Sequence, residues 1–203
     1  MFLLCAATAM SQVKHKHVVG KPASTQLKDF SQLVAQANVQ FIFPAGFKEI
    51  PVVNDEDFSF DYAMEIPGRE FDIWLQVKPQ NGEWVNYERL KNDPNKRIAN
   101  PDSSYIDIGH AQAASLAGDQ NCFTRNISQD VLTRYNASAG KSYLVNLQDL
   151  PETKSYKYAL VITLQKDHIG TIIAVCFTND KNAEFFRNVN RISRYIKFKP
   201  DHK

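Results

Sequence analysis

Residues 156–179 read YKYALVITLQKDHIGTIIAVCFTN, and this stretch decides the fold. Two runs rich in β-branched and aromatic residues, 156–165 and 171–179, flank the turn KDHIG. Runs of this composition on either side of a short turn with glycine are typical of a β-hairpin. We therefore predict an antiparallel hairpin here, the strongest in the chain.

Further strands are predicted upstream of this hairpin. FSFDYAMEI (58–66) and EFDIWLQVK (70–78) alternate apolar and polar residues on either side of a Pro-Gly turn, so they form a second hairpin. KSYLVNLQDL (141–150) predicts another strand. The run VQFIFPAGFKEIPVV (39–53) is rich in strand formers but is interrupted by a proline, which marks a sheet edge, a bulge or a strand end.

Other segments have the three- and four-residue spacing of helices. Residues 24–38 carry Ser24 or Thr25 as the N-cap, and residues 104–118 follow Asp102 or Ser103 as the cap. In the second helix, Gly118 stands where glycine commonly ends a helix.

Two more helices complete the prediction, a short one over 128–137 with Ser128 as its cap and an amphipathic C-terminal one over 181–198. The stretch that contains Trp84 and Tyr87 fits either a short helix or a further edge segment. Together the elements predict an α+β fold, an antiparallel β-sheet with helices packed on it.

The bulk composition is that of an ordinary globular protein. The 203 residues are 43% hydrophobic and 23% charged, with 24 Lys+Arg against 22 Asp+Glu. Because basic and acidic residues are interspersed, no nucleic-acid-binding surface is expected, and the basic C-terminal stretch 187–199 is interpreted as a solvated face.

The N-terminus predicts export. Residues 1–11 are an apolar run followed by small residues, with Ala9 and Ser11 placed for cleavage before Gln12. We interpret 1–11 as a truncated signal peptide, 12–23 as a flexible lead-in and 24–203 as a single α+β domain. The expected location is secreted or periplasmic, in a bacterial cell envelope. The alternative is a cytosolic protein with an apolar start, and no membrane span is predicted.

Without the leader two cysteines remain, Cys122 and Cys176. In an oxidising compartment they could form a disulfide, but sequence positions alone do not show that they are close. Two free thiols are the alternative, with Cys176 in the core.

The octapeptide YNASAGKS (135–142) ends like a phosphate-binding loop. Tyr135 stands where that loop needs a glycine, and the expected order of strand, loop and helix is reversed. We therefore predict no nucleotide and no other cofactor, with Gly140 as a turn between helix and strand and Lys141 as a solvated side chain.

The histidines and acidic residues give only weak indications of a catalytic or metal-binding site. Asp107 and His110 are three residues apart in one predicted helix and could form a general base with its orienting group. His168 lies in the KDHIG turn, where its residue type is explained by conformation. The acidic stretch NDEDFSFD (54–61) and the pair His15/His17 lack the register of a defined metal site, so no metal is predicted.

The order of elements resembles the PsbP-like family, whose fold is shared by an extrinsic subunit of photosystem II and a Ran-binding nuclear import factor. The likeness covers about residues 39–198. It depends on the turn Pro44-Ala-Gly46-Phe47 and on the final hairpin followed by a helix that ends ISRYIKF. Secreted bacterial proteins also share this fold, and the leader fits that group. The resemblance implies a domain that binds protein partners without a shared catalytic constellation, although the helix near 103–117 departs from the simplest version.

These observations favour an exported, non-catalytic binding or accessory domain whose partner is an envelope protein or peptide, or a small apolar ligand. Trp84 and Tyr87 are the predicted binding residues, because Trp and Tyr dominate interface energetics, while Trp74 is predicted to lie in the core. The alternatives are a hydrolase-like enzyme that uses His110 with Asp107, and a structural component with a broad exposed apolar patch.

Overall fold

The computed structural model describes residues 24–52, 54, 58–118 and 122–200. The predicted leader (1–11), the lead-in (12–23) and residues 55–57 of the acidic stretch lie outside these ranges. The described residues form five α-helices: α1 (Thr25–Gln36), α2 (Asn81–Leu90), α3 (Ser104–Ala117), α4 (Gln129–Tyr135) and α5 (Ala183–Arg191). No described helix combines the length and the apolar composition needed to cross a bilayer.

The strands form two antiparallel sheets. Seven of them make the larger sheet in the order β2-β3-β4-β8-β7-β6-β5, and β1 pairs with β9 in the smaller one. In chain order they are β1 (Val39–Phe41), β2 (Lys48–Glu49), β3 (Tyr62–Glu65), β4 (Phe71–Pro79), β5 (Phe123–Asn126), β6 (Ala139–Asn146), β7 (Tyr158–Lys166), β8 (Gly170–Thr178) and β9 (Ile196–Phe198). This architecture confirms the predicted α+β fold with helices packed on an antiparallel sheet.

Both faces of the larger sheet are covered. Alternate residues of a strand point to opposite faces, and all nine residues of β8 are buried. On the first face, Ile172, Ala174 and Cys176 belong to a core with residues of α1, α4, α5 and β9. On the second face, Ile173, Val175 and Phe177 pack with residues of α3 and with Trp74.

Both predicted hairpins are present. β3 and β4 pair around the Pro67-Gly68 turn, and β7 and β8 pair over nine residues from Tyr158↔Thr178 to Lys166↔Gly170. Trp74 lies in the core as predicted, at 2% exposure. Ser24 is the cap of α1, because its Oγ accepts a hydrogen bond from the Leu27 N–H at 3.0 Å.

α3 begins at Ser104 with Ser103 at the N-cap position, as predicted, but the capping hydrogen bonds differ from the expectation. A 3₁₀ turn, Pro101–Ser103, precedes the helix, and Asn100 caps that turn by accepting the Asp102 N–H at 2.9 Å. Ser103 makes no side-chain capping bond. The Asp102 side chain is directed elsewhere and takes part in the candidate site described below.

The predicted C-terminal helix over 181–198 is too long. α5 ends at Arg191, a 3₁₀ turn follows, and Ile196–Phe198 form β9, which pairs with β1 through Val39↔Phe198 and Phe41↔Ile196. Ile196 and Phe198 are fully buried in this pairing. Apolar residues at four-residue spacing become buried in either conformation, so the helical pattern continued past the true end of the helix.

Two strand details were also wrong or missing. Gly140 lies inside β6 opposite Leu164 and is therefore not a turn between helix and strand. A Cβ at this position would meet the Thr163 carbonyl oxygen at 2.8 Å. Lys141 is half-buried in the same strand. The edge strand β5 was not predicted, because its sequence FTRN is exposed throughout and has no apolar alternation.

Close packing of α3 on the sheet gives a first prediction. A Cβ at Gly109 would lie 2.6 Å from Tyr143 Cε2 and 2.7 Å from Thr163 Cγ2. Both neighbours are buried, so Gly109→Ala should lower the free energy of unfolding by about 1–3 kcal/mol through overpacking. Gly82→Ala in α2 is the control, because that Cβ meets no described atom within 4 Å.

The control should stabilise the protein by up to about 1 kcal/mol through helix propensity. Urea denaturation of both variants measures the difference. Equal stability of the two variants would show that α3 does not approach the sheet this closely.

Candidate functional site

Helix α2 has an unusual environment, because none of its ten residues is buried. Trp84 and Tyr87 are half-buried, and their rings meet edge to face with centroids 5.1 Å apart. A helix of this length is marginal alone in water and needs tertiary contacts to form. The tertiary contacts that hold α2 therefore determine which of its side chains face solvent.

Asp102 supplies the main contact. Its Oδ1 accepts three N–H groups, from Trp84 Nε1 at 2.9 Å, Gln165 Nε2 at 3.0 Å and the His168 backbone at 2.9 Å. The carboxylate is only 17% exposed. These donors come from α2, from β7 and from the β7–β8 turn, so one carboxylate fixes three segments that are distant in sequence. Hydrogen bonds to an ionised acceptor are stronger than neutral ones.

A buried amide network positions Asp102. Gln80 donates through Nε2 to Ser104 Oγ at 2.6 Å and to the Pro101 carbonyl at 3.1 Å, which ties the 3₁₀ turn to the end of β4. Gln165 donates to Gln80 Oε1 at 2.8 Å and accepts the Thr171 hydroxyl at 2.6 Å. Gln80, Gln165 and Thr171 are at most 2% exposed. A satisfied buried network of this kind makes the local structure rigid.

His168 completes the surface. Its backbone has φ +63°, a left-handed conformation that non-glycine residues seldom adopt, and its N–H is held by Asp102. Its ring packs against Trp84 with centroids 4.0 Å apart, and its Nε2 lies 3.7 Å from Asp102 Oδ2. Trp84, Val85, Glu88 and His168 line a shallow hollow of about 430 Å³.

We name this surface the α2 platform and define it by Trp84, Val85, Tyr87 and His168. The two residues predicted to bind a partner, Trp84 and Tyr87, both belong to it. Asp102 and His168 were interpreted as a helix cap and a turn residue, and their role was missed. No short motif carries the signal, because the groups meet only when α2, the 3₁₀ turn and the hairpin turn converge.

Asp107 and His110 are not assembled into a site. Both side chains are exposed on α3, and within the described ranges they share neither a hydrogen bond nor an ion pair. The histidine that does approach a carboxylate is His168. Its ring makes no hydrogen bond to a hydroxyl or thiol of a described residue. The hydrolase hypothesis therefore stays a prediction without a supporting geometry.

The two cysteines are free thiols. Cys176 is buried in the core on the first face of the sheet, while Cys122 is half-buried against the core on the second face. The sheet lies between them, so the disulfide considered from the sequence does not form in this structure. Burial raises the pKa of the Cys176 thiol, which keeps it protonated and unreactive.

A second polar cluster lies on β4. Asp72, 1% exposed, accepts the Tyr156 hydroxyl at 2.9 Å and pairs with Lys154 Nζ at 2.8 Å. Lys154 also pairs with Glu65 at 3.0 Å, and this contact lowers the pKa of Glu65. Burial opposes charge on Lys154, but the bonds to Asp72 and Glu65 outweigh it and raise its pKa. The cluster neutralises a buried carboxylate and has no free group for chemistry.

The described residues contain no group of three or more His, Cys, Asp or Glu side chains that could hold a metal ion. Residues 55–57 of the acidic stretch and both histidines of the lead-in lie outside the described ranges.

No protein-family model matches the chain, and no match is found among curated proteins. The resemblance to the PsbP-like family therefore stays a prediction. The fold shows an α+β domain, and the site must be interpreted from its own geometry.

Removing the Asp102 carboxylate should loosen the α2 platform. Asp102→Ala leaves three N–H donors without their acceptor, so we expect a loss of about 1–3 kcal/mol in the free energy of unfolding. Tryptophan emission should also shift to longer wavelength, because Trp74 stays buried and Trp84 becomes hydrated. Asp107→Ala, at an exposed position without a hydrogen bond or ion pair among the described residues, should cost at most about 1 kcal/mol, through loss of a carboxylate from the first turn of α3. Unchanged emission in Asp102→Ala would contradict this role of Asp102.

Lys154 should govern both stability and its pH dependence. Lys154→Gln leaves Asp72 buried without a cation, which costs several kcal/mol for a fully buried pair. Because the Lys154 side chain is 46% exposed, we expect about 1–3 kcal/mol here. Lys48→Gln is the control, since its contact with Glu65 is 3.5 Å long and its side chain is 67% exposed; it should cost less than about 0.5 kcal/mol.

The pH dependence follows from the signs of the two shifts. The folded-state pKa of Glu65 is below its ordinary value of 4.5. Ionised Glu65 therefore stabilises the fold above pH 4.5, and this stabilisation is lost as the pH falls through the folded-state pKa. The pKa of Lys154 is above 10.5, so its contribution is complete below that pH and is lost as the pH rises through the folded value. We expect the urea midpoint of Lys154→Gln to fall less than that of the wild type at acidic pH and at alkaline pH. A plot of midpoint against pH that runs parallel to the wild-type plot would contradict the assignment.

Proposed function

We propose that the protein is a non-catalytic binding domain that holds a protein partner on the α2 platform, in the cell envelope as its leader-like start predicts. The observation that carries this proposal is that α2 buries none of its own residues and is nevertheless fixed by Asp102 through Trp84. A helix that packs little against its own domain, but is held rigidly, is suited to pack against another chain.

The residues of the platform support this function. Trp and Tyr are enriched among the residues that contribute most to binding energy, because they bury a large rigid surface at low entropic cost. Val85 is 73% exposed beside them, so an apolar side chain of a partner would meet apolar surface in the hollow. The indole N–H of Trp84 already has its acceptor in Asp102, so covering the indole ring leaves this donor paired.

Preorganisation is the second support. Association loses affinity when interface side chains must be ordered, at about 0.5–1.5 kcal/mol for each flexible side chain. The bonds from Asp102 to Trp84 and to the His168 backbone restrict the two rings before any partner arrives. The rings therefore lose little freedom when the platform is covered.

The test is affinity capture from an envelope extract with quantitative mass spectrometry, followed by measurement of the dissociation constant for each recovered partner. Val85→Lys is the main variant, because the side chain is exposed and its replacement leaves the Asp102 contacts intact. Tyr87→Ala is the second variant. We expect each to weaken the partner at least about tenfold, the loss typical of an interface hot spot.

Phe123→Ala is the matched control, since Phe123 is a 55% exposed apolar residue on the distant edge strand β5. Its partner affinity should equal that of the wild type. A partner that binds Val85→Lys as tightly as the wild type would contradict the assignment to the α2 platform.

A further inference from the structure

A second cavity lies on the first face of the sheet, beneath α4 and α5. Its volume is about 180 Å³, and its lining is mostly apolar. The floor is the β6–β7 pair, where Ser142 and Ile162 lie opposite each other in register. We name it the α4–α5 slot and define it by Val131, Arg134, Tyr135, Ser142, Ile162 and Val189.

Polar groups at this slot have no partners among the described residues. Tyr135 is 4% exposed as a residue and lines the slot, and its hydroxyl makes no hydrogen bond to a described residue. The hydroxyl oxygen is not one of the fully enclosed polar atoms without a partner, so a ligand or water can reach it. Burial raises the pKa of this hydroxyl, which therefore stays protonated and able to donate.

Arg134 lies at the same slot without a carboxylate partner among the described residues. It is exposed at the C-terminal end of α4 and forms no ion pair within the part of the chain that the structure describes. A guanidinium binds a carboxylate through two parallel hydrogen bonds, which gives both energy and orientation. The nearby Ser142 hydroxyl also lacks a hydrogen bond to any described group.

From these groups we propose that the α4–α5 slot binds a small carboxylate with a compact apolar body. The body fills the space between the helices and the sheet, the carboxylate pairs with Arg134, and the Tyr135 hydroxyl donates to a carboxylate oxygen. The size fits, because an apolar cavity of about 150 Å³ holds benzene. An apolar pocket with a few convergent polar groups is the usual form of a small-molecule site.

The slot is separate from the α2 platform, and this proposal does not depend on the binding of a protein partner. None of its defining residues takes part in the Asp102 contacts. A failure at one site therefore leaves the other unaffected, and each can be tested by its own variants.

The test is an NMR titration of the full chain with benzoate as the probe. We expect saturable shifts at the amides of α4, α5 and the β6–β7 pair, with a dissociation constant on the order of 0.1–1 mM for a ligand of this size. Benzyl alcohol has the same body without the charge, and acetate has the charge without the body. Each should bind at least about tenfold more weakly, since a charged hydrogen bond or the buried body is lost.

Two variants assign the contacts. Arg134→Gln should weaken benzoate at least about tenfold and leave benzyl alcohol unchanged. Tyr135→Phe should weaken benzoate while the urea midpoint stays at or above that of the wild type, because the hydroxyl removed has no internal partner. Arg187→Gln is the matched control; it removes the same charge from an exposed position of α5 outside the slot and should leave affinity unchanged. Absence of saturable shifts at these amides, or benzoate affinity that is equal in wild type, Arg134→Gln and Tyr135→Phe, would overturn the proposal.

Discussion

The burial of β8 on both of its faces is the constraint on which the rest of the structure depends. All nine of its residues are buried, and β4 and β7 flank it along its whole length. An antiparallel sheet often leaves one face in water, but a strand without polar positions at its centre cannot. Two layers must therefore cover the sheet. The first contains α1, α4 and α5 with the β1–β9 pair, and the second is formed by α3 and the segments around Phe58 and Tyr156.

The same hairpin determines where the α2 platform lies. Gln165 and Thr171 stand opposite each other at the end of β7 and β8, where the apolar pattern stops and a buried polar pair begins. Buried amides must be satisfied, and they are satisfied by Gln80 and Asp102, which brings the 3₁₀ turn against the hairpin. Asp102 then has acceptor capacity left for Trp84 and His168. The position of the α2 platform thus follows from the buried polar pair Gln165 and Thr171 at the end of the β7–β8 hairpin.

The elements that sequence patterns could predict are those whose local pattern agrees with their environment. The helical spacing in 24–38 predicted α1 correctly, and EFDIWLQVK was correctly predicted as a strand, although its polar residues Asp72 and Gln76 are buried as well. Ile192 and Ile196 satisfy a helical stripe and a buried strand equally well, so only the pairing of β9 with β1 decides between them. β5 has no apolar pattern because it depends on its ladder with β6. The site was half predictable: aromatic composition singled out Trp84 and Tyr87, whereas Asp102 and His168 acquire their role from contacts between segments far apart in the chain.

The two proposed sites differ in whether their polar groups have hydrogen-bond partners within the protein. At the α2 platform the indole N–H of Trp84 and the backbone N–H of His168 both donate to Asp102, so these two groups are held in place and Val85 is left as an exposed apolar contact. At the α4–α5 slot the Tyr135 hydroxyl and the Arg134 guanidinium have no partner among the described residues, so the remaining capacity is polar. In the proposed complex the carboxylate of the ligand binds both the Tyr135 hydroxyl and the Arg134 guanidinium, while the apolar walls of the slot hold its body.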